Sequence, residues 1–143
     1  MIAIDQTDTT STTGNCLQAS FASLLGMPLD DVPHFAAISG PDWWPAIFRF
    51  IHESSDGKLQ LCLRPLRFPV YGEDDTPADR LRGYVIGVGP SPRGDWDHAV
   101  ILDAITGELI HDPHPTDKQG IGGGRGYVLA LYANPDGIGP SRG

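Results

Sequence analysis

Residues 13–26 read TGNCLQASFASLLG and place a cysteine where a polar stretch becomes an amphipathic one. Large apolar residues recur there at helical spacing and mark one buried stripe: Leu17, Phe21, Leu24 and Leu25. Gly26 and Pro28 predict the end of the helix, because a glycine followed by a proline commonly stops one. The stretch therefore predicts a helix that begins at Cys16 and ends before Gly26.

This helix would carry Cys16 in its first turn, after a cap supplied by Thr13, Gly14 or Asn15. Backbone N–H groups are unpaired at a helix N-terminus and the macrodipole is positive there, so a thiolate is favoured over a thiol. The thiolate is the nucleophilic form of cysteine. Taken alone, the stretch fits equally well a small apolar residue that happens to lie near a helix start.

Length and charge limit the classes of protein to consider. The chain has 143 residues, which fits one domain over 1–132 followed by a Gly/Pro-rich tail over 133–143. The net charge of −8 argues against nucleic acid and anionic membranes as partners. There is no apolar run of membrane-spanning length and no signal-peptide pattern at the start of the sequence, so we expect a cytoplasmic protein. The oligomeric state is left open.

The two cysteines, Cys16 and Cys62, form no C-x-x-C pair, so the sequence predicts neither a disulfide framework nor a zinc site of that kind. Alternation over 58–64 predicts a strand with Leu59, Leu61 and Leu63 on one apolar face and Cys62, in a structural role, on the other face. Residues 65–82 are interpreted as a surface connection because they combine prolines with an acidic cluster.

A second helix is predicted to open near Asp42, a plausible N-cap, because Pro45 is tolerated only at a helix start. Trp43 and Trp44 are interpreted as core or as a groove wall. The second half of the chain turns to β structure, with strands predicted over 83–89, 98–104, 108–112 and 127–132.

A candidate catalytic pair comes from the hairpin predicted over 98–112, which turns at Thr106-Gly107. In an antiparallel hairpin the start of one strand lies beside the end of the next, so His98 and Asp112 should meet. A carboxylate beside an imidazole fixes its tautomer and stabilises the imidazolium. Together with Cys16, this pattern predicts a nucleophile, a general base and acid, and a residue that orients the base.

The motifs around these residues, Gly14-Asn15-Cys16-x-x-Ala19, His98-Ala99-Val100-Ile101 and Ile110-His111-Asp112-Pro113, resemble the papain-like cysteine peptidase superfamily. The nearest branch is the peptidases that remove double-glycine leaders from bacteriocin precursors, with their small C39-like relatives. The resemblance spans residues 6–115 in short motifs only. It implies an α+β fold, with N-terminal helices packed on a small antiparallel sheet, and a catalytic triad of Cys16, His98 and Asp112.

Further residues are assigned to the site on weaker grounds. A side-chain amide upstream of a nucleophile can donate to an oxyanion, which makes Gln6 a candidate although it lies farther from the cysteine than the family's glutamine. Asn15 is a second candidate donor. Trp96 is expected in a wall of the cleft, and His114 is expected to line it.

The expected reaction is hydrolysis of a peptide, isopeptide or other amide or acyl bond in a peptide or protein substrate, without a cofactor. Deamidation and acyl transfer use the same residues and stay open. A second alternative is a non-catalytic papain-like module that binds a peptide or protein. A third is a metal-dependent hydrolase built on the group His98, His111, Asp112 and His114, although zinc sites need three or four ligands in suitable geometry.

Overall fold

Two helices lie against one face of a five-stranded antiparallel sheet in the computed structural model of the chain, which describes residues 2–9, 14–35, 43–70, 83–122 and 125–133. The helices are α1 (Cys16–Leu25) and α2 (Trp43–Ser54), with a short 3-10 helix at Leu29–Asp31. The strands are β1 (Leu59–Pro65), β2 (Tyr84–Pro90), β3 (Asp97–Asp103), β4 (Leu109–His111) and β5 (Tyr127–Ala133). The predicted α+β class, with N-terminal helices on an antiparallel sheet, is confirmed.

Helix α1 has the bounds that its sequence predicts. Gly26 follows it in the left-handed conformation, with φ of 67°, which a residue without a β-carbon adopts at little cost. The N–H of Met27 then donates to the carbonyl of Ala22 at 2.9 Å and satisfies one of the last carbonyl groups of the helix. The C-terminus of the helix is therefore capped by backbone hydrogen bonds, without a side chain.

The sheet has the strand order β1-β5-β2-β3-β4, so the last strand of the chain lies inside the sheet. Strand β5 pairs with β1 on one side and with β2 on the other. Val88 of β2 faces Ala99 of β3 and also Tyr127 of β5. This row of three residues lies near the end of the sheet at which β3 and β5 begin.

The main core lies between the helices and the sheet. Its largest fully buried side chains include Phe21, Phe35, Ile47, Ile51, Ile101 and Leu131. The rings of Phe21 and Phe35 meet edge to face with centroids 5.6 Å apart. Full burial of each such side chain contributes about 2 kcal/mol. On the edge strand β1 the predicted apolar face is incomplete, because Leu61 is buried while Leu63 is 56% exposed.

The opposite face of the sheet has an apolar cluster of its own, which includes Val85, Val100 and Val128. Leu66, Phe68 and Val70 pack against it, so the prediction of a surface connection is wrong for this part of 65–82. Every second residue from 66 to 70 is apolar, and this alternation is the pattern of a segment that packs on a sheet. The prolines of the segment made the alternation hard to recognise in the sequence. Cys62 packs against the same cluster, on the face that was predicted for it.

Some predictions concern parts of the chain outside the described residues. These are the cap at Asp42, the acidic cluster within 71–82 and the tail beyond Ala133. The backbone of Trp43 and Trp44 opens α2, as predicted, but their side chains are also outside the described part.

Candidate active site

The hairpin of β3 and β4 brings His98 and Asp112 together. At its turn, Asp103 accepts two backbone N–H bonds, of 2.8 and 2.9 Å, through one carboxylate oxygen. Gly107 completes the turn with φ of 77°. His98 is the second residue of β3, and Asp112 directly follows β4. The predicted juxtaposition is thus present, and a short local hairpin produces it.

The contact between the His98 and Asp112 side chains is short and buried. His98 Nε2 lies 2.7 Å from Asp112 Oδ1, and the side chains are 3% and 0% exposed. The same carboxylate accepts the backbone N–H of His114 at 2.9 Å and that of Gly120 at 2.8 Å. Three donors therefore fix the carboxylate, and the carboxylate in turn fixes the orientation of the imidazole ring.

The site favours the ion pair form of these two groups. Burial of the His98 ring disfavours its charge, but hydrogen bonds to Asp112 and Cys16, together with the charges of both, raise its pKa from 6.5 to about 9. Burial likewise disfavours the charge of the Asp112 carboxyl, yet the hydrogen bonds from His98, His114 and Gly120 hold its pKa below the ordinary 3.8. At neutral pH the pair is an imidazolium and a carboxylate. Because Nε2 bonds to Asp112, Nδ1 is the ring nitrogen left for Cys16.

Cys16 is the first residue of α1, and it is partly exposed. The side chain of the preceding Asn15 makes no cap hydrogen bond, so it does not occupy the first backbone N–H groups of the helix. The Asn15 amide nitrogen instead donates to Thr7 Oγ1 at 3.0 Å and to Gln18 Oε1 at 3.2 Å. Both of its hydrogens are thus used inside the protein. This arrangement favours a role for Asn15 in anchoring the helix start over the predicted role as an oxyanion donor.

Gln6 lies close to the start of α1 although nine residues separate it from Cys16 in the sequence. Its Nε2 donates to the carbonyl of Asp8 at 2.7 Å, and the backbone N–H of Asn15 donates to the same oxygen at 3.0 Å. Gln6 is 6% exposed, and its Oε1 has no hydrogen-bond partner among the described residues. These bonds hold Gln6 and Asp8 beside the residue that precedes α1, so the long spacing does not remove Gln6 from this region.

A cleft of about 160 Å³ adjoins the thiol and the imidazole. Seven residues line it: Cys16, Leu17, Val88, Asp97, His98, Ala99 and Tyr127. Helix α1 supplies one wall, and the ends of β2, β3 and β5 supply the other. The Cys16 thiol and the His98 imidazole therefore lie on opposite walls of one small cleft.

Two lining residues were not singled out from the sequence. For Asp97, the sequence signal that could have identified it is its position directly before His98. Tyr127 was interpreted as an ordinary strand residue, because nothing local indicates that β5 lies next to β2. Burial, followed by the charges of Asp97 and Cys16, raises the pKa of Tyr127 to about 12. Its hydroxyl therefore stays protonated at neutral pH.

Other predicted site residues lie elsewhere. Trp96 covers Gly94 with its ring, where a β-carbon would collide with it, and it is not among the residues that line the cleft. His114 Nδ1 accepts the backbone N–H groups of Thr116 and Asp117, at 3.2 and 2.9 Å. Burial and the charge of Arg93 lower the pKa of His114. Its backbone N–H contributes to the site through Asp112, whereas its ring organises the following loop.

His111 points away from this pair, as the alternation of strand residues predicts. Its Nε2 donates to the carbonyl of Ile4 at 2.9 Å, which ties β4 to the N-terminal segment. Within the described ranges, no group of three or more His, Cys, Asp or Glu residues has a geometry that could hold a metal ion. Nor does any helix among those residues have the length and apolar character needed to cross a membrane.

Comparison of the chain with protein-family models, with curated proteins and with solved structures gives no match.

Proposed function

We propose that this protein is a papain-like cysteine hydrolase that cleaves a peptide, isopeptide or other amide or acyl bond through an acyl-enzyme. One observation carries the proposal: the buried His98 ring is bonded to a carboxylate at 2.7 Å and lines the same small cleft as the Cys16 side chain, whose interaction with the ring helps to raise the pKa of His98. A structural histidine needs only one partner to be satisfied. Here the second partner is a partly exposed thiol at a helix N-terminus, facing a cleft.

The chemistry follows from the positions of these groups. The Cys16 thiolate attacks the substrate carbonyl carbon, and the electron pair of the C=O bond moves onto the oxygen. When the tetrahedral intermediate collapses, the C–N bond breaks and the His98 imidazolium gives its proton to the leaving nitrogen. The product is an acyl thioester on Cys16. Water, losing a proton to His98, then attacks this thioester, and the thiolate leaves with the acid released.

Asp112 keeps its charge throughout and holds the ring in the orientation that this proton transfer needs. For the oxyanion, the backbone N–H of Cys16 and the Gln6 amide are the candidate donors, since both lie at the start of α1. The papain-like assignment rests on the order of the triad and of the elements, with a helix that carries the nucleophile ahead of a sheet that carries the other two residues.

The proposal is tested by two reactions of the same thiol in a Cys62→Ser background, which removes the other cysteine. Iodoacetamide alkylates a thiolate without forming an oxyanion, whereas p-nitrophenyl acetate acylates it through one. We expect alkylation below about pH 7 to proceed about 10 to 100 times faster than in His98→Ala, because the imidazolium stabilises the thiolate. Cys16→Ala should abolish both reactions.

Gln6→Ala provides the second arm. We expect it to slow acylation by about 100-fold relative to alkylation, which is the effect of losing one oxyanion donor. If Cys16 is alkylated with the pH profile of a free thiol and His98→Ala changes nothing, the hydrolase is ruled out and a binding module on this fold is favoured. Product analysis with amide, ester and amine acceptors then distinguishes hydrolysis from deamidation and acyl transfer.

A further inference from the structure

The cleft next to Cys16 combines apolar walls with one carboxylate. Leu17, Val88 and Ala99 supply the apolar surface, and Asp97 brings a negative charge to the same space. The cleft measures about 160 Å³, which suits a single small group of a substrate. The proposed reaction of Cys16, His98 and Asp112 does not need the Asp97 carboxylate. The role of this carboxylate therefore concerns which substrate groups bind in the cleft.

Asp97 has a protein partner, but that partner is weakly held. Arg125 Nη1 bonds to Asp97 Oδ1 from outside the lining of the cleft, and the two side chains are 59% and 47% exposed. An exposed pair of this kind contributes at most about 1 kcal/mol to stability. A cation on a substrate can therefore replace Arg125 at small cost.

The Asp97 charge also acts inside the cleft. It is one of the causes that raise the pKa of Tyr127, after burial of the phenol. Tyr127 faces Val88 across β5 and β2, on the wall opposite α1. Asp97 and Tyr127 lie on the same wall, so the charge of Asp97 acts on a neighbouring group that lines the cleft.

We infer that Asp97 determines specificity by selecting substrates that carry a primary amine or guanidinium group beside the reacting carbonyl. This inference rests on the proposed function of Cys16 and extends it to a substrate class. The apolar walls hold the short aliphatic part of such a group, and the Asp97 carboxylate binds its charged end. Anionic groups at the same position are disfavoured by the same charge.

The test uses two methanethiosulfonates of similar length and opposite charge, and a smaller neutral one, on the Cys62→Ser protein. The thiolate attacks the sulfenyl sulfur, the sulfur–sulfur bond breaks, a methanesulfinate ion leaves and a disulfide forms. Rates are measured for the cationic aminoethyl, the anionic sulfonatoethyl and the neutral methyl reagent, each followed by mass spectrometry of Cys16. The quantity of interest is the rate with the cation divided by the rate with the anion.

We expect Asp97→Asn to lower this ratio by about tenfold, since a charge a few ångströms away at a protein surface acts on both reagents with opposite sign. Asp95→Asn is the matched control, because it removes the same charge from an exposed position in the loop just before β3, outside the cleft lining. Arg125→Gln should raise the ratio through a faster reaction with the cationic reagent, because it removes the competing cation.

Equal effects of Asp97→Asn and Asp95→Asn would overturn the inference, since the preference would then reflect the net charge of −8 alone. A fall in the anion rate on Arg125→Gln, with no change for the cation, would also overturn it and assign the site to carboxylate substrates. Failure of the proposed function gives a different result. In that case Cys16 reacts with the neutral reagent as slowly as a free thiol does, whatever the ratio.

Discussion

The hairpin carries two histidine–carboxylate pairs that differ in almost every physical respect. His98 and Asp112 are 2.7 Å apart and buried, and backbone N–H groups fill the rest of the carboxylate. His111 lies 3.5 Å from Asp5, whose side chain is 45% exposed and also binds Lys118. The first pair is held from all sides, whereas the second lies at the surface beside the N-terminal segment.

The difference shows what makes one of these pairs strong. Sequence proximity does not decide it, since His111 is adjacent to Asp112 in the chain and yet bonds to Ile4. Burial strengthens the first interaction, and the fixed donors keep the carboxylate charged. In the second pair, water screens the half-exposed Asp5 carboxylate, which weakens its interaction with His111. The contrast can be tested pair by pair.

The largest difference is expected in stability. Asp112→Asn leaves His98 buried without its counter-charge and should lower the free energy of unfolding by about 3 kcal/mol. Asp5→Asn removes a half-exposed charge and should cost at most about 1 kcal/mol. Urea unfolding at neutral pH measures both values. Equal losses in the two variants would show that burial of the first pair has no energetic consequence.

The next effect is the pH dependence of that stability. The pKa of Asp112 is lowered, so its contribution is present above its ordinary pKa of 3.8 and is lost as the pH falls through the native value. The pKa of His98 is raised, so its contribution is complete below 6.5 and is lost as the pH rises towards about 9. The pair therefore stabilises the fold fully between about pH 4 and 6.5. As the pH rises from there towards about 9, the free energy of unfolding should fall by about 3 kcal/mol.

Two glutamine variants isolate this alkaline loss. His98→Gln should flatten the stability curve between neutral pH and about pH 9, whereas His111→Gln should keep the slope of the wild-type protein. Urea midpoints across this range give the answer. A slope that survives in His98→Gln would assign the titration to another group.

The smallest effect concerns Lys118, which links the two regions. Its Nζ donates to Asp5 Oδ1 and to the carbonyl groups of Asp112 and His114, each at 2.8 Å. Lys118→Met should lower the unfolding free energy by about 1 kcal/mol, because the contacts are largely at the surface. The donors to the Asp112 carboxylate remain, so the rate of Cys16 alkylation by iodoacetamide should not change. A slower rate would show that the lysine also positions the buried pair.

Local patterns in the sequence were enough to predict the elements that carry the triad. The apolar spacing after Cys16 and the stop at Gly26 gave the bounds of α1. The turn at Thr106-Gly107 gave the pairing of β3 with β4, and therefore the contact between His98 and Asp112. Both are short-range features, in which residues close in sequence determine one another's position.

The rest of the site depends on contacts between distant segments. The place of β5 beside β2, which brings Tyr127 to the cleft, is set by packing of the whole sheet. The return of Gln6 to the helix start depends on several bonds, among them those of the Asp8 carbonyl and of the Asn15 side chain, which no residue pattern reveals. Trp96 is expected in a wall of the cleft as part of the loop over 89–97, yet its ring packs on Gly94.

The internal position of β5 has a consequence for the biosynthesis of the protein. Among the described strands, β1 pairs with β5 alone, so residues 59–65 have no neighbour in the sheet until residues 127–133 have left the ribosome. Closing so long a loop is entropically costly and slow compared with local pairing. The helix with its cysteine is made before all of the strands, whereas the wall that faces it is complete only when β5 has been made. The nascent chain therefore carries its thiol without a finished cleft until that strand has left the ribosome.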